Sequence, residues 1–138
     1  MSESTNGHIT KGAHHVGLTV SSLDVARNFF VDTLRYKQVG EIPDYPAVFL
    51  SDEKTMITLW QAEDPTKAIS FDRKGVIGLH HLALAVDGDA SLDSLCERLK
   101  DDRNVNIEFE PEPLAGGPTR HMICNIPGGG IRVEFVAT

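Results

Sequence analysis

The stretch Gly12-Ala13-His14-His15-Val16-Gly17-Leu18-Thr19-Val20 recurs in pattern as Gly78-Leu79-His80-His81-Leu82-Ala83-Leu84-Ala85-Val86. Each copy reads Gly-x-His-His, then alternates large apolar with small residues as far as a valine. The offset from Gly12 to Gly78 is 66 residues, nearly half of the 138-residue chain. Two copies at that spacing mean one supersecondary unit used twice; a solenoid needs at least three. Alternation with period two predicts a strand in each copy, successive side chains pointing to opposite faces.

Working outward, the first strand is expected over 13–20 and a helix after it. Ser21 is the expected N-cap, with Asp24 three residues on, and Leu23, Ala26, Phe30 and Leu34 form the buried stripe. Three short strands follow near 36–41, 47–51 and 55–61, punctuated by Pro43, Pro46 and an Asp52-Glu53-Lys54 turn. The second unit repeats the order, with a strand at 79–87, a helix at 89–101 carrying Leu92, Leu95, Cys96 and Leu99 inward, and strands near 105–110, 119–126 and 130–136. Pro111-Glu112-Pro113 and Ala115-Gly116-Gly117-Pro118 are expected to connect two of those strands. The organisation expected is a polar tail over 1–10 and a single domain over 11–138. That domain comprises repeat 1 (11–61), a linker (62–77) and repeat 2 (78–138), each repeat a β-α-β-β-β unit.

Composition narrows the classes of function. A net charge of −7 repels phosphate backbones and anionic bilayers, so neither nucleic acid nor membrane is an expected partner. No apolar run approaches the ~20 residues of a spanning helix. The first ten residues lack the apolar core of a signal peptide. Cys96 and Cys124 are the only cysteines and read as small buried residues, which fits a reducing, cytoplasmic setting.

Strand alternation makes a sharper statement about the histidines. Val16, Leu18 and Val20 form the large apolar set and face the helix, so His15 lies on the opposite face with Gly17 and Thr19. By the same logic His81 lies opposite Leu82, Leu84 and Val86, beside Ala83 and Ala85. Small neighbours leave room for a ligand. His14 and His80 fall on the helix-side face and read as structural. In the last strand Ile131, Val133 and Phe135 make the apolar face, leaving Arg132, Glu134 and Val136 on the other. A glutamate there is costly unless paired or ligated. His15, His81 and Glu134 together make a two-His, one-carboxylate set suited to one divalent ion: Fe, Mn, Zn, Ni or Co. The remaining wall of the pocket is expected from Thr19, Met56, Thr58, Trp60, Ile123 and Asn125. His121 shares that face and is the candidate catalytic acid or base, because imidazole titrates near neutrality.

These motifs, with Pro127-Gly128-Gly129-Gly130-Ile131-Arg132-Val133-Glu134-Phe135 near the end, resemble the vicinal-oxygen-chelate superfamily of glyoxalases, extradiol dioxygenases and bleomycin-resistance proteins. The resemblance implies an α+β fold in which two β-α-β-β-β units form curled mixed sheets around a metal-binding cavity. It implies a metal-dependent lyase, isomerase or dioxygenase acting on a small oxygenated substrate that chelates the metal. It also implies a homodimer. The alternative it carries is a metal-free binding protein that sequesters a ligand in the same cleft. Two departures bear on the reaction. Thr58 stands where glyoxalase I has a fourth ligand, a glutamate, and Ile123 stands where extradiol dioxygenases have a tyrosine.

Overall fold

The computed structural model describes residues 7–138. Of the expected tail, residues 1–6 lie outside the described part, and residues 7–10 are exposed and neither helical nor extended in a sheet. The first unit contains β1 (His15–Val20), α1 (Leu23–Asn28), β2 (Lys37–Ile42), β3 (Ala47–Ser51) and β4 (Met56–Gln61). The second contains β5 (Leu82–Val86), α2 (Gly88–Lys100), β6 (Asn106–Pro113), β7 (Arg120–Asn125) and β8 (Arg132–Ala137). Each unit makes its own four-stranded sheet, ordered β1-β4-β3-β2 and β5-β8-β7-β6. In both, the first strand runs parallel to the last and the other pairs are antiparallel. A parallel pair needs a long crossover, and the helix and two strands between supply it. The fold is therefore α+β, with two open mixed sheets.

Strand faces follow the alternation read from sequence. Leu18 and Val20 are buried, while His15, Gly17 and Thr19 are exposed. Val133 and Phe135 are likewise buried behind β8. The apolar faces of both sheets and both helices share one core, in which Phe30, Leu50, Ile57 and Leu59 of the first unit join Leu92, Leu99, Met122 and Phe135 of the second. Each such fully buried side chain contributes roughly 1.5–3 kcal/mol, so the shared core is what holds the units together. Polar contacts mark the seam. The Ser21 N–H donates to Gly128 O at 2.8 Å, and Arg98 Nη2 donates to Asp32 O at 2.7 Å. Gly128 has φ +86°, and a Cβ there would stand 2.9 Å from Ala26 Cβ, Ala26 N and Ser22 O, so only glycine fits.

Four local expectations are corrected. The cap of α1 is Ser22, whose Oγ accepts from Val25 N at 3.4 Å; Ser21 is occupied at the seam. The helix does not run on regularly but widens into a π-type turn over Phe29–Thr33, closed by Leu34 N donating to Phe29 O at 3.2 Å. That turn lets consecutive Phe29 and Phe30 both be buried, edge to face at 5.7 Å, where a regular stripe would bury one. The first strand of the second unit starts at Leu82, because Gly78 (φ +147°) and a bend at His80 keep the chain out of the sheet until then. Finally, β6 runs through Pro111 to Pro113. It is an edge strand with register shifts between Ile107 and Phe109 and between Phe109 and Glu112. Edges and bulges are where a sheet tolerates proline. Among the described residues no helix is long and apolar enough to cross a membrane.

Candidate metal centre

Glu134 lies in the middle of β8, between β5 and β7, opposite Ala83 on one side and Ile123 on the other. Its carboxylate is almost fully buried, and each oxygen meets an imidazole. Oε1 is 3.2 Å from His81 Nε2, and Oε2 is 2.5 Å from His121 Nδ1. His121 comes from β7 with its ring against Phe109 at 4.9 Å. The strand before it thus supplies a wall as well as a partner. Ala83, the small residue opposite Glu134, is exposed.

Two donor atoms bound to one divalent ion at about 2.0–2.2 Å stand roughly 3 Å apart. The His81 Nε2–Glu134 Oε1 separation of 3.2 Å has that dimension, and the donor set, imidazole with carboxylate, suits a borderline cation. The third expected ligand is elsewhere. His15 opens β1 in the other sheet, exposed, with its Nδ1 2.9 Å from His14 Nδ1. No described hydrogen bond, ion pair or ring contact joins it to His81 or Glu134. Among the described residues no group of three or more His, Cys, Asp or Glu side chains is gathered so as to hold a metal. Of the residues singled out from sequence, the structure brings His81, Glu134 and His121 together. His15 sits apart from them within one chain.

The expected pocket residues divide the same way. Thr19, Met56, Thr58 and Trp60 line the His15 face of the first sheet; Ile123 and Asn125 line the His81 face of the second. Gly17 is opposite Thr58 and Ala83 is opposite Glu134, so Thr58 is the repeat-equivalent of Glu134. The Thr58 hydroxyl accepts from Trp60 Nε1 at 2.9 Å, and the indole meets Tyr45 edge-on at 4.7 Å. The linker contributes more than connection. With Gly17 and Thr19 of β1 and Ile131 before β8, its Pro65, Phe71 and Val76 wall a cavity of about 500 Å³.

Beside Glu134 on the same face, Arg132 is buried and its Nε donates to both oxygens of Glu108, at 2.9 and 3.1 Å. Asn125 Nδ2 donates to Glu108 Oε2 at 3.1 Å, and Arg73 of the linker reaches Oε1 at 3.4 Å. Burial pushes the Glu108 carboxyl up, but these donors and the two guanidinium charges outweigh it and hold the group below the usual carboxylate range. Arg120, on the opposite face of its strand, pairs with Asp93 of α2 instead. Sequence reasoning missed Glu108, although Asn106 and Glu108 alternate like the other face residues. It also put His14 and His80 on the helix side. Both precede their strands, where alternation does not hold, and their rings meet His15 and His81 edge-on at 5.2 and 5.1 Å.

Residues 12–135 match the model of the Glyoxalase/Bleomycin resistance protein/Dioxygenase superfamily. A proposed glyoxalase of Bacillus halodurans is 31% identical over 91% of this chain and 94% of its own, with a TM-score of 0.74. The lactoylglutathione lyase of Agrobacterium tumefaciens is 20% identical, covering 94% of this chain and 96% of its own, with a TM-score of 0.70. A glyoxalase/bleomycin resistance protein/dioxygenase domain from Frankia sp. EAN1pec is 23% identical over 93% and 92%, with a TM-score of 0.78. No curated protein matches the chain. The chain belongs to the Glyoxalase/Bleomycin resistance protein/Dioxygenase superfamily.

Proposed function

We propose that this chain is a metal-dependent enzyme of the glyoxalase/dioxygenase kind, acting on a small organic substrate that offers two adjacent oxygens. The observation that carries the reading is the buried Glu134 carboxylate with His81 Nε2 at 3.2 Å from one oxygen and His121 on the other. His81, Glu134 and His15 would hold the ion, which when bound polarises the substrate oxygens as a Lewis acid. His121 holds the second oxygen of Glu134 through Nδ1, leaving Nε2 as the nitrogen able to give or take a proton. Trp60, Met56 and Thr19 on one sheet and Ile123 on the other supply a mixed apolar and polar wall.

Because His15 is apart from the other two ligands, the site is completed by a second copy: His15 of one chain with His81 and Glu134 of the other. Exposed Val39 of β2, Tyr45 in the turn between β2 and β3, and Ile77 and Leu79 leading into His81 are apolar surface that such pairing would cover. Replacing His15, His81 or Glu134 with Ala is expected to abolish stoichiometric metal binding in each homodimer, measured by elemental analysis. Mixing His15→Ala with Glu134→Ala chains should restore one site per heterodimer, since one pairing then has all three ligands intact. Full metal content in His81→Ala would sink the ligand set, and no recovery on mixing would return the site to a single chain. The competing reading, a metal-free ligand-sequestering protein, draws on the lack of a gathered three-ligand group among the described residues. It predicts that protein purified without tag or chelator carries no stoichiometric metal.

A further inference from the structure

The linker between the two sheets forms a roof over the edge of β1, and it is tied down along its length. The Ala62 N–H donates to Val20 O at 2.8 Å, Phe71 packs against the core, and Arg73 reaches Glu108 at 3.4 Å. Between these ties two short turns hold their own shape. Asp64 Oδ1 accepts from Thr66 N at 3.1 Å, and Asp72 O accepts from Val76 N at 3.1 Å. The cavity of about 500 Å³ beneath has the size of a small-molecule site. It touches Gly17, Leu18, Thr19 and Val20 in succession. Neighbours on a strand point to opposite faces, so contact with four in a row means that the cavity follows the strand's edge, not a face. β1 ends its sheet and pairs with β4 alone. Such an edge offers backbone N–H and C=O groups to whatever lies beside it.

Charge selects the occupant. No charged side chain lines this cavity, in a chain with 20 acidic and 13 basic residues. Four other cavities each take in charged side chains, such as Arg35 and Arg98 in one and Asp24 and Arg27 in another. An ion entering under the linker would lose hydration and meet no counter-charge. An apolar body gains by covering Val76 and Ile69, the latter 83% exposed. We propose that this cavity is a binding site for a neutral small molecule with an apolar body and a few hydroxyl, carbonyl or amide groups. Those groups bond to the β1 edge or to the hydroxyls of Thr19, Ser21 and Ser70, the polar side chains of the lining. None of His15, His81 and Glu134 lines it, so the site needs no metal.

The test titrates N-phenyl-1-naphthylamine, a neutral dye that brightens in apolar surroundings, into the full chain with a chelator present. Binding should saturate at one dye per chain. At pH 7, where octanoate is an anion and octylamine a cation, 1-octanol should displace the dye at concentrations about tenfold or more below either. Ala68→Phe, which fills the space from the roof, and Val76→Asp, which puts a charge in the lining, should each weaken the dye about tenfold or more, with circular dichroism unchanged. If Ala68→Phe does not fold, Val76→Asp decides. No saturable binding to wild type, equal displacement by the three octyl compounds, or full affinity in a folded Val76→Asp overturns the proposal. Absent dye binding together with weakened self-association of Ala68→Phe in sedimentation also overturns it, and gives the cavity to a second copy of the chain.

Discussion

Glu108 and Arg132 show what a charged pair does on a sheet face. Each is largely buried, and each satisfies the other while Asn125 and Arg73 complete the carboxylate. Removing one partner of this part-buried pair loses charge-assisted hydrogen bonds worth about 1.5–3 kcal/mol. Glu108→Gln should therefore lower stability at pH 7 by about 1.5–3 kcal/mol in urea unfolding. The pH dependence has a definite sign. The native carboxyl is held below its unfolded value, so its stabilisation is complete above the ordinary carboxylate range and is lost as pH falls through the native value. The gap between wild type and Glu108→Gln should shrink on acidification from pH 5 to pH 3; a constant gap would mean the pair contributes no linkage. At this scale the sequence was informative wherever one strand sets the face, as for His15 and Glu134. It was silent where a partner comes from another strand or from just outside one, as for Glu108 and His80. Periodicity reports direction, not distance.

Elements were legible in kind and order because hydrophobic alternation and helical spacing are local signals. Their ends were less so. Nothing local separates Ser21 from Ser22 as a cap; the choice is made by Gly128, whose carbonyl takes the Ser21 N–H. Ser22→Ala should cost roughly 0.5–1 kcal/mol through the lost bond to Val25, whereas Ser21→Ala, which keeps its backbone contact, should stay within about 0.5 kcal/mol of wild type. Thermal or urea unfolding of the two variants separates them, and equal losses would move the cap back to Ser21. The prolines of β6 misled for a related reason. Pro111 and Pro113 forbid a central strand, yet the topology puts this strand at an edge, which no local window can reveal.

For the whole molecule, the repeat foretold two units but not how they are set against each other. That depends on the shared core and on the seam at Gly128. A methyl group there meets Ala26 and Ser22 at 2.9 Å on a backbone with positive φ. Gly128→Ala should lose about 3 kcal/mol or more from strain and overpacking together; a loss under 1 kcal/mol, read from urea unfolding, would mean the seam yields easily. Whether the two histidine faces meet within a chain was likewise beyond sequence, since both arrangements use the same strands.

The parallel closure of each sheet also sets a timetable. β1 finds its partner only in β4, with Met56 opposite His15 some 40 residues later. On a ribosome adding about 5–20 residues per second, β1 therefore waits roughly 2–8 s after its own synthesis for its neighbour to be made. Through that interval Val16, Leu18 and Val20 form an apolar row with no sheet to join, and the nascent chain is most open there to a chaperone or to another chain.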